Sequence, residues 1–449
     1  MRWNPIIILF VLLGVVAYGQ DRVTEVQYGG GIANAIVREY SYPATVSYVE
    51  TSSEHHFAYA DASMQVINSQ IPSTLYVLDM EVHGGFVYFC GYDNAGPTVG
   101  VWGWFKVADL MSGALTYHTY DGFQQSPLYA DTLHDLVVFE DNGETHVALV
   151  GAVTDGQSKR HWCSVDVIGT EGSPSGWSYT IGVSDYADWE AERRTRICVT
   201  DNFVVTAGTT VPPSYCETLR IHRRSGMFMT GGHQDTVYMY TFFWDGVEHS
   251  HPVLAITNTD GDMVATASKG GYYSPYIVVN VYDMMSLTTT ANPLQVYNYT
   301  VYILPNIIDS IYIRDIRYSA NAQELHLLLT GEYPGLSHGS FLAELPLPPA
   351  PFNCSFVKGR TLLSLDNYNG QSSSLAIGYK DSDNSLLDYY TQTLSSTPLC
   401  AKSIPTGCSP TNYRAKSFFS PYTVTDGQFD CTTNQQLNVQ SLPNAVICE

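Results

Sequence analysis

Charge is scarce in this chain of 449 residues, where Asp, Glu, Lys and Arg together make up 14%. Basic residues are the scarcer kind: 21 Lys and Arg stand against 43 Asp and Glu, for a formal net charge of −22. Grip on a nucleic-acid backbone is supplied by Lys and Arg, and so is electrostatic docking on anionic lipid, so neither partner is expected. Long apolar runs are missing after residue 20, which excludes a spanning helix in that part of the chain. Also missing after residue 20 is any segment with the length and the Ala/Glu/Lys/Leu content of a good helix. No C-x-x-C pair occurs, and the cysteine spacing fits no zinc ribbon or finger. There is no convincing Gly-x-Ser-x-Gly elbow and no Walker or dinucleotide loop ahead of a helix; "YGGGIANA" (28–35) is a lone glycine cluster.

The first residues form an exception to the shortage of apolar runs. Arg2 precedes "PIIILFVLLGVVA", and Ala17 and Gly19 supply a small-x-small site before Gln20. A basic start, an apolar stretch of this length and a small-residue site read as a secretory signal peptide over 1–19, which predicts an exported protein, secreted, periplasmic or at the cell surface. Export permits disulfides. Of the nine cysteines, Cys400, Cys408, Cys431 and Cys448 crowd the last 50 residues, where two bridges are expected. Cys198 and Cys216 are expected to pair across neighbouring strands, and Cys90 and Cys163, inside apolar patterns, to be buried thiols.

What the chain has in abundance is aromatic and β-prone residues, with 33 Tyr and a hydrophobic share of 45%. Such side chains fit a pleated, half-buried surface. In "VYFCGYDNAGPTVGVWGWF" (87–105) two apolar runs flank a polar break, and the pattern recurs at 147–168, 204–224, 264–284, 325–347 and 375–394. Each copy has an apolar strand ending in a small residue, then a polar loop, then a second strand. The small residues are Gly91, Gly151, Gly208, Ser268, Gly331 and Gly378, spaced by 60, 57, 60, 63 and 47. A further short strand and a tight turn precede each copy. Asn142-Gly143 and Asn369-Gly370 are hairpin signals, because a type I′ turn needs positive φ at both central residues.

Four antiparallel strands repeated about every 60 residues describe a β-propeller blade. One small sheet cannot bury both faces alone, whereas packing such sheets around an axis buries both. The small residue is expected to let blades and loops approach closely near that axis. The expected architecture is a single all-β domain over 20–449, with units near 73–130, 131–190, 191–248, 249–309, 310–360 and 361–394. The two termini, 21–72 and 395–449, are expected to build a seventh blade together. Six blades with a closing N-terminal strand and a disulfide-bonded tail are the runner-up. Through "DMEVHGGFVYFCG" (79–91) and "GVWGWFKVADL" (100–110) the chain resembles the secreted, repeat-containing β-propeller proteins of Bacteroidota-type bacteria. The resemblance implies a fold and no activity. Such proteins often carry a C-terminal sorting domain, and the stretch ending "NAVICE" does not read as one.

Aligning the units brings out one constellation. Asp79, Asp135, Arg196 and Asp315 each stand just before the first apolar pair of the expected innermost strand. In a propeller such positions ring one mouth of the central channel, where three carboxylates and a guanidinium could bind a polar ligand or a divalent cation such as calcium. The plainer alternative is that each Asp caps its turn or pairs with a neighbour such as Arg314. "TNTDGDM" (257–263) and "KDSDNS" (380–385) read as turns before they read as calcium loops, and His249 with His251 lacks a third ligand. Trp102 and Trp104 alternate as residues between blades would, while other Trp and Tyr could stack on a sugar. The expected function is an exported, non-catalytic binding or scaffold protein with a protein or glycan partner at the channel mouth. The alternative is a carbohydrate-active hydrolase or lyase using channel-mouth carboxylates.

Overall fold

A computed structural model describes the strands and the short helix given below, together with residues 54, 72–74, 84–85, 94–98, 113–115, 142–143, 195, 200–202, 224, 259–262 and 284–285. Residues 1–21 and the other connections lie outside that description, and with them the expected signal peptide and the turn at Asn369-Gly370. The chain is all-β, in antiparallel sheets. β1 (Arg22–Gly29) is followed by β2 (Gly31–Glu39), β3 (Ala44–Thr51), β4 (His55–Ala60) and β5 (Val66–Ile71), which pair in that order as sheet 1. Sheet 2 is β6 (Leu75–His83), β7 (Phe86–Asp93), β8 (Val99–Lys106) and β9 (Thr116–Asp121), with the one-and-a-half-turn helix α1 (Val107–Ser112) before its last strand. Sheet 3 is β10 (Ala130–Asp141), β11 (Glu144–Thr154), β12 (Lys159–Ile168) and β13 (Pro174–Thr180). Sheet 4 is β14 (Arg196–Val199), β15 (Phe203–Thr209), β16 (Glu217–Arg223) and β17 (Tyr238–Trp244). Sheet 5 is β18 (Val253–Asn258), β19 (Met263–Gly270), β20 (Tyr276–Asp283) and β21 (Val296–Ile303). Sheet 6 is β22 (Ser310–Ser319), β23 (Glu324–Tyr333), β24 (Leu336–Pro346) and β25 (Lys358–Ser364).

The termini are used differently from the expectation. Residues 31–71 complete a sheet of their own. The incomplete unit is the last one, β26 (Ser373–Lys380) and β27 (Leu386–Thr393), and β1 pairs with β26 over its whole length to give it a third strand. The remaining C-terminal strands do not build a sheet. β28 (Lys402–Ile404) adds to β25, β29 (Thr406–Ser409) to β21, β30 (Ala415–Lys416) to β17, β31 (Thr425–Gly427) to β13, β32 (Cys431–Gln436) to β9, β33 (Val439–Gln440) to β5 and β34 (Ala445–Cys448) to β1. The tail thus visits the sheets in reverse order and lies along the outer edge of each. The reason is elementary: each outer strand offers a row of unpaired N–H and C=O groups, and a polar tail can pair with them without an apolar face of its own.

The first strand of each sheet lies against the first strand of the next, β2 with β6, β6 with β10, and so on through β14, β18 and β22; β27 touches both β22 and β2, so the succession returns to its start. The cores lie between consecutive sheets, and this explains why the strands read as unbroken apolar runs. On β7, Val87 and Phe89 pack with Val46, Tyr48 and Phe57 of sheet 1, while Tyr88 and Cys90 pack with Leu133, Leu136 and Leu149 of sheet 3. On β11, Val147 and Leu149 face sheet 2, while Ala148 and Val150 pack with Ile197 and Val204 of sheet 4. With period 2 and both faces covered, every position is apolar. Trp102 and Trp104 lie in the core between sheets 2 and 3, as their alternation indicates. Each fully buried aromatic of this kind contributes about 2–3 kcal/mol.

The cysteines need one correction. Cys90, Cys163 and Cys198 are free and buried. Cys198 therefore does not bridge to Cys216: it sits on β14 opposite Val205 of β15, and β16, which follows Cys216, is separated from β14 by β15. In the tail, Cys408 and Cys431 lie on strands added to sheets 5 and 2, and Cys448 on the strand added to β1 in the sheet of β26 and β27; these three sheets are not neighbours in the succession. Cys216, Cys354 and Cys400 are outside the described residues.

Candidate functional site: a carboxyl-lined set of first strands

A β-bulge shapes the first strands. The register shifts between Val77 and Asp79, Leu133 and Asp135, Ile313 and Asp315, Ala33 and Ala35, and Val253 and Ala255. The extra residue bends the strand and re-aims the side chain that follows. Asp79, Asp135 and Asp315 each stand immediately after the extra residue, and Arg196, opposite Ala207, begins the short first strand of sheet 4. The positions that the sequence aligned are therefore equivalent in the sheets, with Ala35 and Ala255 completing the series on β2 and β18.

The carboxylates reach sideways into the next sheet. Asp79 Oδ2 accepts the backbone N–H of Leu136 at 3.1 Å, and Asp135 Oδ2 accepts that of Ile197 at 2.9 Å. Glu81, two residues after Asp79 on the same face, accepts the N–H of Val138. A first strand has a free edge, so its outward N–H groups need acceptors, and a carboxylate from the preceding sheet is a strong one. Asp315 behaves differently. Its Oδ1 accepts the N–H of Ile316 at 2.8 Å, and its Oδ2 pairs with Arg317 Nε at 3.1 Å; the Arg314 side chain lies outside the described ones.

These groups also feel one another. Loss of hydration and then the neighbouring Asp79 hold the Asp135 carboxyl well above the usual carboxylate range, against the pull of Arg196. Burial likewise raises Asp315, with Arg317 opposing. Glu81 is pushed up to about 7 by burial, opposed by the Val138 N–H and the charge of Arg317. Each keeps some accessible surface, as with the 17% of the Asp315 side chain, so a proton can reach them from solvent. Glu81 and Arg317 were missed by the sequence alignment. The signal was present as period 2: D-x-E at 79–81 and D-x-R at 315–317 put both members on one strand face.

Among the described residues no group of three His, Cys, Asp or Glu side chains could hold a metal ion. The "TNTDGDM" segment forms a turn in which Gly261 has φ 66° and Asp262 bonds to its neighbour. Asp262 Oδ1 accepts from Thr200 Oγ1 at 2.8 Å and from the Asn202 N–H at 3.0 Å, and its Oδ2 accepts from Asn202 Nδ2 at 2.7 Å. Similar clasps join the other turns at this end: His83 Nε2 to Glu140 at 2.8 Å, Arg224 to Asp141 at 2.8 Å, and the Tyr318 hydroxyl to Asp260 at 2.7 Å. Asn142 (φ 52°) and Gly143 (φ 82°) make the expected hairpin turn. His249, His251 and "KDSDNS" beyond Lys380 lie outside the described residues.

Two histidines brace the opposite end. His134 is the extra residue of the β10 bulge. Its Nδ1 accepts the Thr195 N–H at 3.2 Å, so the ring proton of the neutral imidazole lies on Nε2, 3.0 Å from Thr132 Oγ1. His55 Nδ1 lies 2.7 Å from the Leu75 carbonyl, to which the Tyr48 hydroxyl also donates at 3.2 Å. Both pairs tie one sheet to the start of the next.

No family model and no curated protein matches the chain. Among solved structures it is similar to the WD40 domain of SCAP from fission yeast, at 10% identity and a TM-score of 0.31, covering 79% of this chain and 91% of that one. It is also similar to xylan beta-1,4-xylosidase from Bacillus Halodurans C-125, at 7% identity and a TM-score of 0.21, covering 89% of this chain and 99% of that one. Likenesses of this degree assign no family and carry no activity across.

Proposed function

We propose that the chain is a single seven-bladed β-propeller, exported, that works as a non-catalytic binding or scaffold protein with its ligand or partner at a mouth of the central channel. The cyclic succession of first strands supports the propeller, since a closed ring of seven small sheets leaves each first strand facing an axis. β1 starts at Arg22, just past the expected cleavage site, so removal of 1–19 would leave it intact as the strand that closes the ring. A protein or glycan is the partner class that the acidic surface favours over a nucleic acid.

The observation that carries the non-catalytic reading is that Asp79 and Asp135 each accept a backbone N–H from the next sheet. A glycosidase holds its two carboxyl groups about 5–9 Å apart, with the sugar between them. In Asp79 and Asp135 one oxygen of each carboxyl is already taken up by the next first strand. They read as braces that keep the ring rigid, and a rigid ring is what presents converging loops to a partner. The test is a melting screen of the protein against glycans and peptides, with hydrolysis followed on the same glycans. A ligand-induced rise in Tm without product formation is the expected result. Glycan cleavage that Asp79→Asn abolishes in a folded protein would overturn the reading in favour of the hydrolase.

A further inference from the structure

We infer that the junction between sheets 4 and 5 is a polar seam, at which these two sheets part while the junction of sheets 2 and 3 stays closed. The inference rests on packing and does not depend on the ligand proposed above. Residues directly opposite one another on paired strands share a face. On sheet 5, Ile256, Thr266 and Asn280 form one such row, and Val264 stands opposite Tyr282 in the next row of the same face. Ile256, Val264 and Tyr282 pack with Cys198, Val205, Ala207 and Leu219, so this face is the one turned to sheet 4. Thr266, Asn280 and Ser268, two residues on from Thr266, therefore lie in the junction, and all three are fully buried. The Ser268 hydroxyl has no hydrogen-bonding partner among the described protein groups.

The two preceding junctions are built differently. Between sheets 2 and 3, Trp102, Trp104 and Tyr120 meet Leu133, Leu136 and Leu149. The buried polar side chains of these sheets point elsewhere: Thr119 stands in the row of Phe89, on the face turned to sheet 1, and His134 and His146 are turned to sheet 4. Between sheets 3 and 4 the packing is intermediate, with His146 and Thr206 buried beside Ala148 and Val204. The consequence follows from hydration. Burial of an aromatic or aliphatic side chain is favourable in proportion to its area, and that gain is lost on opening. A buried hydroxyl or amide gave up water on folding and regains it on opening, and for Ser268 no described protein group offsets the loss. At the turn end the seam is held by the bonds that Asp262 accepts from Thr200 and Asn202.

One buried cysteine reports each junction: Cys90 lies between sheets 2 and 3, Cys163 between sheets 3 and 4, and Cys198 between sheets 4 and 5. The experiment is alkylation of the full chain in denaturant kept below the global transition, with the rate at each cysteine read by peptide mapping. Cys198 is expected to react about tenfold faster than Cys90 and with a weaker dependence on denaturant, because parting two sheets exposes less surface than unfolding the chain. Two variants separate the seam from its alternatives. Val147→Ala leaves a gap between sheets 2 and 3, which weakens that junction and the fold as a whole. It is expected to speed labelling of Cys90 about tenfold and to leave Cys198 at the wild-type rate. If Val147→Ala does not fold, Ile168→Val makes a smaller cut in the same junction. Ser268→Ala removes the buried hydroxyl and is expected to slow Cys198 about tenfold. Ser268 stands six residues along the chain from Asp262, and Cys198 two residues from Thr200, which Asp262 holds, so fraying of β14 alone would not respond to it. A Cys198 rate no faster than that of Cys90, or equal acceleration of both by the variant between sheets 2 and 3, would show that the sheets part only in global unfolding. An unchanged Cys198 rate in Ser268→Ala would assign its labelling to β14. Any of these results overturns the seam.

Discussion

The carbonyl oxygen of Tyr76 lies 1.8 Å from where a Cβ on Gly91 would stand. The contact is backbone on backbone across β6 and β7, at the bulge between Val77 and Asp79, so no side-chain rotation can relieve it. Gly151 repeats the arrangement, with Thr132 O at 2.1 Å. Gly91→Ala is therefore expected to cost about 3 kcal/mol or more, the upper end of overpacking penalties. Gly143→Ala, where nothing lies within 4 Å and only φ resists, is expected to cost about 1 kcal/mol. Denaturant unfolding of the two variants side by side measures the difference. Equal costs would mean that the bulge yields and that the glycine is not required there.

This pair also shows how far the sequence could be read. The period of small residues was visible, and so was the unit of strands around it, because apolar runs and turn residues are local signals. The reason for the small residue was not visible. It makes room for the bulged strand of its own sheet, where the pattern suggested close approach of neighbouring blades. Asp79, Asp135, Arg196 and Asp315 were found because each precedes an apolar pair at the same place in its unit. Their partners were not found, since the N–H groups of Leu136 and Ile197 lie in the following unit and bear no mark in the sequence. The division of the termini was hidden for a related reason. Residues 395–449 lack apolar periodicity, and a strand of two to six residues that pairs only by its backbone leaves no pattern to read.

Asp262 is expected to contribute about 2 kcal/mol to stability through the three hydrogen bonds it accepts from Thr200 and Asn202 of the preceding sheet. Asp262→Ala leaves the Asn202 N–H to solvent and the Thr200 hydroxyl to its other acceptor, the Phe203 carbonyl, and unties sheets 4 and 5 at this turn. Asp262→Asn keeps one acceptor and should recover part of the loss. A double variant with Asn202→Ala tests the assignment, because the two losses should then add to less than their sum. Strict additivity would place the effect of Asp262 elsewhere.

Cys90, Cys163 and Cys198 are expected to resist alkylation in the folded protein and to react once it is unfolded. All three are buried, and the Cys198 thiol is held protonated by burial first and by the charge of Asp135 second, so little thiolate is formed at neutral pH. Peptide mapping after iodoacetamide treatment, with and without denaturant, reads each site separately. Labelling of Cys198 under native conditions would show that the junction between sheets 4 and 5 opens.

Chelation is expected to leave Tm where it is, and calcium at about 1 mM is expected not to raise it. Calcium needs six to eight oxygens, and the described carboxylates at the first strands are already engaged by N–H groups and by Arg317. A calcium-induced rise in Tm that Asp79→Asn removes would mean that these oxygens can be redirected to a cation.

Deletion of residues 398–449 is expected to turn a monodisperse protein into an associating one. The tail supplies the outermost strand of all seven sheets, and its strands are short, from two residues at β30 and β33 to six at β32. Each attachment is weak alone, yet all belong to one chain, so each raises the effective concentration of the next. Without the tail, β5, β9, β13, β17, β21 and β25 become exposed edges, and β1 loses its partner on one side. Uncovered edges pair with edges of other molecules. Light scattering on the truncated and full chains at equal concentration measures this, and separate Pro substitutions within β32 and β29 of the full chain test whether single attachments matter. Small effects of the single prolines beside a large effect of the deletion are the signature of serial weak pairing. A truncated chain that stays monomeric, with an unchanged Tm, would show that the outer strands add nothing to the fold.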